Sequence, residues 1–417
     1  MAVPGSPTDD YLDFELSIWA QGNQYYARVT DSPAGLSESV LLASFFENRT
    51  KLDTLLLRVE NAMLRGSSRV RGPLSIEERT LQEFGQSVFD IVFRQAQPIA
   101  LNYAKSQEKV AERKAGGLRL SLRIEEPEVS QLPWEYLYDT AEREWLGLAY
   151  RSPIIRYLGG SHPDQPLVVN GPLNILGMIA NPGGEWDPID AERERRILDQ
   201  AIGPHQKAGR INFSWVPSGT EEDLLKAINK GSWHVFHFIG HGGVWRPQPG
   251  EPGEPEGFIV LSDGQGGAHE VRASTLRIRL TPRTRSLRLV VLNCCEGGRG
   301  PADAGRASPA ATLVQAGIAA VVAMQFPISD TAAIQLAGGF YDKLAEGWPL
   351  EAALTFARQM IQVKSPTEWG IPALFTRAKT GQLFGGFQPL AAGGPAPAPM
   401  DPDTAQARAR LRELFRV

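Results

Sequence analysis

Two short apolar runs, each ending in a reactive side chain next to glycine, constrain this chain most strongly. The first is WHVFHFIGHGG (residues 233–243), in which His241 stands between glycines. The second is LRLVVLNCCEGG (residues 287–298), in which Cys295 is followed by Glu296 and two glycines. Short apolar runs bounded by glycine are typical of buried strands. The sequence therefore predicts two buried strands that bring an imidazole and a thiol to one site.

From residue 173 onward, strand patterns and helix patterns alternate. Strands are predicted at 173–180, 211–217, 233–241 and 319–326, and helices at 191–208, 221–230, 309–316, 331–346 and 350–363. This alternation indicates a mainly parallel sheet with helices on both faces. In such sheets, sites form beyond the carboxyl ends of the strands. The predicted strands of His241 and Cys295 end there, which favours a shared site.

The chain before residue 173 has a different pattern. Residues 12–29 predict a hairpin, 51–64 and 75–97 predict helices, and 117–124 predict a strand. We divide the chain into an N-terminal region (1–158), a Gly- and Pro-containing linker (159–172), a catalytic domain (173–390) and a tail (391–417). The tail combines a Pro/Gly-rich linker with a short basic amphipathic helix.

Composition and short motifs exclude several classes of function. The net charge of -4, without a basic tract, argues against nucleic acid as a direct partner. No apolar run approaches about 18 residues, so no membrane span is expected. The two cysteines, Cys294 and Cys295, are adjacent, which excludes a disulfide framework and predicts a reducing, cytoplasmic environment. There is no phosphate-binding G-x-x-x-x-G-K-[ST] motif, and no cofactor is predicted.

The residues at the two run ends suit thiol hydrolysis of a peptide bond. That reaction needs a thiolate, an imidazole that activates it and protonates the leaving amine, and donors to the oxyanion. Cys295 is the predicted nucleophile and His241 the predicted base, and the backbone N–H groups of Gly242 and Cys295 are the predicted oxyanion donors. Asp330 either lines a substrate pocket or caps the next helix. His237 and Glu296 are further candidates for that pocket.

Other interpretations of these residues stay open at this point. Cys295 could be a buried, inert thiol, and the chain a non-catalytic scaffold or sensor that binds a partner protein. Trp134 could be a binding aromatic or a buried anchor. Zinc has suitable ligands in His234, His237, His241, Cys294 and Cys295. However, consecutive residues of a strand face opposite sides, which separates Cys294 from Cys295, so no metal site is predicted.

At these residues the sequence resembles a known family. The segments HFIGHG, NCCEGG, GIAAVVAMQFPISDTAA and WGIPALF, in this order, are similar to the CHAT family of caspase-like cysteine peptidases, relatives of caspases and separase. The separation of His241 and Cys295 (295 − 241 = 54) is close to the roughly 50 residues between the caspase pair. The resemblance places the base at His241 and the nucleophile at Cys295. Cys294 occupies the position where the family commonly has alanine.

The resemblance extends to GLRLSLRIEEPEVSQLPWEYLYDT and SPIIRYL, which are similar to the segment that precedes the peptidase half in this family. It implies an α/β caspase-like, mainly parallel sheet with helices on both faces, preceded by a non-catalytic caspase-like half. It further implies an endopeptidase that stays latent until a partner, a regulatory domain or a ligand activates it. The implied setting is bacterial antiphage defence or programmed cell death, with a protein substrate such as a gasdermin-like effector.

Overall fold

The computed structural model describes residues 10–22, 24–42, 49–65, 74–159, 166–184, 186, 188–248, 253, 255–280, 286–294 and 308–385. The strands of this part are β1 (Tyr11–Gln21), β2 (Gln24–Asp31), β3 (Val40–Leu41), β4 (Gly117–Ile124), β5 (Tyr138–Asp139), β6 (Glu144–Trp145), β7 (Ile154–Tyr157), β8 (Leu167–Val168), β9 (Leu173–Ile179), β10 (Ile211–Trp215), β11 (Val235–Trp245), β12 (Glu256–Ser262), β13 (Ala268–Arg272), β14 (Leu289–Cys294), β15 (Ala320–Met324), β16 (Pro372–Thr376) and β17 (Phe384–Gly385). The helices are α1 (Arg49–Arg65), α2 (Ile76–Asp90), α3 (Gln97–Arg113), α4 (Pro127–Ser130), α5 (Ala191–Lys207), α6 (Glu221–Lys230), α7 (Ala273–Leu280), α8 (Pro309–Gln315), α9 (Asp330–Ala345) and α10 (Leu350–Lys364).

One large sheet runs through the described chain. Its strand order is β10-β9-β11-β14-β15-β16-β7-β4-β1-β2-β3, and β12 and β13 extend from β11 as an antiparallel hairpin. In this order, adjacent strands are parallel along β10-β9-β11-β14-β15 and along β16-β7-β4-β1. The β15–β16, β1–β2 and β2–β3 pairs are antiparallel. The predicted mainly parallel α/β sheet and the N-terminal hairpin are thereby confirmed.

Strand alternation divides the core between two faces of this sheet. On one face, Phe236, Phe238 and Leu292 pack with α6, α7 and α8. On the other, Ile239 and Val291 pack with α5, α9 and α10. Because successive strand residues point to opposite faces, both faces of β11 and β14 are apolar and need a helical cover. Helices on both faces, as predicted, follow from this pattern.

The sheet joins the N-terminal region to the rest of the chain. β16 pairs in parallel with β7, with Phe375 opposite Arg156. Beside this junction, Arg156 donates to Glu135 at 2.7 Å and to Gln325 at 3.0 Å, and all three side chains are buried. Burial alone would raise the pKa of Glu135, but the charge and hydrogen bonds of Arg156 hold that pKa below its usual value.

The helix predicted at 75–97 is shorter and is followed by a second one. Ser75 forms a capping box with Glu78, and α2 ends at Asp90. One π-helical turn follows, and α3 then starts beside Pro98, which favours a first helical turn. α3, α7 and β13 were not predicted. The linker residues 160–165 and the tail lie outside the described residues.

No helix among the residues described is both long and apolar enough to cross a membrane. Trp134 is fully buried, and its indole N–H donates to the Val129 carbonyl oxygen at 2.9 Å. Of its two interpretations, the structure supports the buried anchor.

Candidate active site

His241 lies where β11 changes partners. Up to Gly240, the strand runs in parallel between β9 and β14. From His241 onward it pairs with β12 instead, with His241 opposite Val260. The prediction that this strand ends at His241 is therefore wrong, because β11 continues to Trp245. The carboxyl end of its parallel segment nevertheless coincides with the predicted base.

β14 brings Cys294 to the same edge of the sheet. It ends at Cys294, which stands opposite Gly240 in the parallel register. The Cys294 side chain is buried in the apolar core that includes Phe238 and Leu292, on the face covered by α8. The predicted nucleophile Cys295 and the predicted pocket residue Glu296 lie outside the described residues.

A largely apolar cavity opens on the opposite face, between the sheet and helices α5 and α9. It has about 450 Å³ of empty space, part of it open to solvent. Its polar lining comes from Glu194, His237, Asn293 and Tyr341. Ile239 and Asn293, which precede Gly240 and Cys294, also line it. The cavity thus lies directly beneath the strand positions that lead to the predicted dyad.

His237 is a buried wall of this cavity. Its Nδ1 atom is hydrogen-bonded to the Tyr341 hydroxyl at 2.7 Å. Burial lowers the pKa of His237 to about 3, so the imidazole is neutral at physiological pH. A neutral, hydrogen-bonded histidine can shape the cavity and support α9 against the sheet, but it cannot serve as an acid near neutral pH.

The acidic groups near the cavity come from α5 and α9. Glu194 is half-buried, and burial together with the nearby charge of Asp330 raises its pKa. Asp330 forms an ion pair with Arg193 and does not line the cavity. The alternative prediction that Asp330 caps the next helix is wrong, since Ser329 is the N-cap and accepts from the Ala332 N–H.

The glycines around His241 make room for aromatic rings. A Cβ atom at Gly240 would lie 2.4 Å from the Phe238 ring, and one at Gly243 would lie 2.9 Å from the Phe258 ring. Glycines beside a catalytic residue can admit substrate backbone, but here aromatic rings of the protein occupy the space beside both. Gly242, the predicted oxyanion donor, stands opposite Ile259 of β12.

Sequence reasoning missed Trp186, which packs on the predicted base. The ring centroids of Trp186 and His241 are 5.2 Å apart, with the planes tilted by 33°. Trp186 also meets Phe258 edge-on at 6.4 Å. The available signal was a large aromatic residue in the Gly/Pro-rich segment NPGGEWDP, directly after the strand predicted at 173–180.

Two of the histidines considered for zinc, His234 and His237, have different hydrogen-bond partners. His234 accepts a hydrogen bond from the Asn174 N–H at 3.0 Å through Nδ1, whereas His237 pairs with Tyr341. Within the described ranges, no group of three His, Cys, Asp or Glu side chains is arranged to hold a metal ion.

One protein-family model matches most of the chain, including the segments that carry the candidate site. The model for the CHAT domain matches residues 82–381. The chain belongs to the CHAT family. The match includes His241, the Cys294–Cys295 pair and the N-terminal region from within α2 onward, so it spans both sides of the β16–β7 junction. No curated protein sequence matches this CHAT chain.

Solved structures with similarity to this CHAT chain include two peptidases. Separase of Saccharomyces cerevisiae, in its complex with securin, is 12% identical with a TM-score of 0.47, and the match covers 89% of this chain and 30% of the separase chain. Gingipain R, described as an Arg-specific cysteine proteinase, is 9% identical with a TM-score of 0.44, covering 92% of this chain and 80% of that one. This chain therefore spans 30% of the length of the separase that it matches.

Proposed function

We propose that this CHAT protein is a cysteine endopeptidase, with Cys295 as nucleophile and His241 as general base. The observation that carries the proposal is the register of Gly240 opposite Cys294. Consecutive Cα atoms are about 3.8 Å apart, so the residues that follow this pair start from adjacent points. Continued alternation would turn both away from the face that holds Cys294 and toward the cavity.

The proposed reaction follows from these groups. His241 takes the thiol proton, and the sulfur of Cys295 attacks the substrate carbonyl carbon. The N–H groups of Gly242 and Cys295 hold the resulting oxyanion. When the C–N bond breaks, the imidazolium gives its proton to the leaving amine. Water, deprotonated by His241, then cleaves the thioester, which releases the acid and regenerates the thiol.

The cavity supplies the proposed substrate pocket. It lies beneath the strand positions that lead to His241 and Cys295 and is mostly apolar, with Glu194 among its lining residues. His237 belongs to this pocket as a buried, neutral wall. Asp330 and Glu296 are proposed to contribute to the rim of this pocket. Because Asp330 forms an ion pair with Arg193, Arg193 would then lie at the rim as well.

We further propose that the enzyme is latent until a partner, a ligand or a regulatory domain activates it, in bacterial antiphage defence or programmed cell death. The substrate is proposed to be a protein, with a gasdermin-like effector as one candidate. These proposals rest on the CHAT family membership and the motifs that carry it.

The decisive experiment maps new protein N-termini by mass spectrometry after co-expression with the proteins of neighbouring genes. We expect termini that appear with wild type and with Cys294→Ala but disappear with Cys295→Ala and His241→Ala. Cys294→Ala is the matched control because its side chain is buried on the other face of the sheet. Termini that persist in Cys295→Ala would exclude the proposed nucleophile. If no variant yields termini and Cys295 resists alkylation at neutral pH, the scaffold interpretation is favoured.

A further inference from the structure

The loop that carries Trp186 is held closed at its base. It joins β9 to α5, and the Asn181 side chain both donates to the Ile189 carbonyl oxygen at 2.8 Å and accepts from the Ile189 N–H at 2.9 Å. Asp190 then caps α5 by accepting from the Arg193 N–H at 3.0 Å. Both ends of the loop are therefore fixed by side-chain hydrogen bonds.

The same loop is packed against the hairpin of β12 and β13. A Cβ atom at Gly183 would lie 2.2 Å from the Gly266 carbonyl oxygen in the hairpin turn, so the two backbones are in direct contact. This contact fixes Gly183 beside the turn between β12 and β13. The side chain of Trp186 reaches His241 and Phe258 from there.

A continuous chain of contacts backs the indole ring. Gly243 has no side chain, which makes room for the buried Phe258 ring opposite it in the β11–β12 pair. Phe258 presents its ring at 77° to Trp186, the edge-to-face geometry that aromatic pairs favour. Trp186 in turn covers the imidazole of His241 at a tilt of 33°. The contacts thus form one series: Phe258 fills the space beside Gly243, Trp186 packs on Phe258, and His241 packs on Trp186.

We propose that Trp186 is a positioning residue for His241. The indole packs on the imidazole and fixes the plane of its ring beside the end of β14. Through His241, it keeps the proposed base oriented to take the proton of the Cys295 thiol. This inference rests on the proposed Cys295–His241 dyad, but its geometric part holds without any substrate.

The test uses the full chain with a Cys294→Ala background, so that alkylation reports on Cys295 alone. Trp186→Leu removes the indole, Trp186→Phe keeps an aromatic face, and Trp19→Leu is the matched control. Trp19 is a half-buried tryptophan that is also stacked on another ring, that of Tyr26 in the β1–β2 hairpin. NMR of the imidazole protons, with His241 assigned through His241→Ala, measures ring-current shielding by the indole. Iodoacetamide at neutral pH measures thiolate reactivity.

We expect the shielding of the His241 protons to be lost in Trp186→Leu, partly kept in Trp186→Phe and unchanged in Trp19→Leu. The alkylation rate should fall about two- to tenfold in Trp186→Leu and stay within about twofold in the other two variants, as the size of aromatic pair interactions implies. Unchanged His241 signals in Trp186→Leu would refute the stacking. A rate that depends on His241 but not on Trp186 would overturn this inference and leave the dyad standing, whereas a rate independent of both would remove the dyad itself.

Discussion

The buried side chain of His237 makes the stability of the fold depend on pH. Burial lowers its pKa to about 3 in the fold, against about 6.5 in the unfolded chain. Between these values the unfolded chain binds a proton that the folded chain does not, so stability falls as the pH drops from 6.5 toward 3. We therefore expect the free energy of unfolding to be about 1.4 kcal/mol lower at pH 5.5 than at pH 7.5 because of His237.

Urea unfolding of wild type and His237→Gln at these two pH values measures this effect. The variant should lose about 1.4 kcal/mol less than wild type on acidification, because it has no titrating ring at this position. Tyr341→Phe is the matched control, since it removes the hydrogen bond to Nδ1 but keeps the imidazole. It should lower stability by about 1 kcal/mol at both pH values. Equal pH dependence in wild type and His237→Gln would contradict this account.

Single-residue roles were predictable only where local chemistry decides them. The Ser75 capping box and the positive φ of Gly317 after α8 depend on a few neighbouring residues, so the Ser-x-x-Glu pattern and the glycine at the helix end are enough to specify them. The partner of His237 is 104 residues away in α9, and the ion pair of Asp330 forms with Arg193 of α5. Such contacts depend on how helices pack on the sheet, which no local pattern specifies.

At the scale of elements, β11 depends on Gly240 for the packing of its own Phe238. A Cβ atom at Gly240 would lie 2.4 Å from the Phe238 ring, which is fully buried and cannot move aside. We expect Gly240→Ala to lower the unfolding free energy by about 1–3 kcal/mol through overpacking. The combination with Phe238→Leu should be less destabilised than the sum of the single variants by about 1 kcal/mol.

Denaturant unfolding of the two single variants and their combination measures this coupling. Gly338→Ala in α9 is the control, because its Cβ atom would meet only the Ala201 side chain, at an ordinary 3.9 Å. It should be stabilising by about 0.5–1 kcal/mol, as in other helix interiors. Additive losses for the Gly240 and Phe238 variants would show that the ring is not the obstacle.

The buried ion pair beside the β16–β7 junction is the second test at this scale. Glu135 and Arg156 are both buried and joined at 2.7 Å, and Arg358 of α10 lies 3.9 Å from Glu135. Glu135→Gln should cost about 3–5 kcal/mol, since it leaves two buried guanidinium groups without their carboxylate. Glu142→Gln, which affects an exposed pair with Arg151, should cost less than about 1 kcal/mol. Similar urea midpoints for the two variants would argue against a stabilising network.

Across the whole molecule, the parallel α/β architecture was predictable, but its strand order was not. The alternation of strands and helices after residue 173 indicated a parallel sheet, and the structure has one. The switch of β11 to β12 at His241 and the antiparallel insertion of β16 between β15 and β7 depend on pairings far apart in sequence. The periodicity of apolar residues specifies which face of a strand is buried, but it does not specify which strand pairs beside it.

The continuity of this sheet leads to a prediction for the separated halves. Besides the β16–β7 pairing, Arg119 of β4 donates to Glu351 of α10 at 2.7 Å in a buried ion pair. A fragment of residues 173–390 would expose the edge of β16 and leave Glu351 without Arg119 and Arg358 without Glu135. Unpaired buried charges and an open strand edge are both costly.

We expect this fragment alone to lack a cooperative urea transition and near-ultraviolet circular dichroism, and co-expression with residues 1–158 to restore both. The full chain should unfold in one transition by both probes. A fragment that unfolds cooperatively by itself would show that the two halves are independent domains rather than parts of one shared sheet.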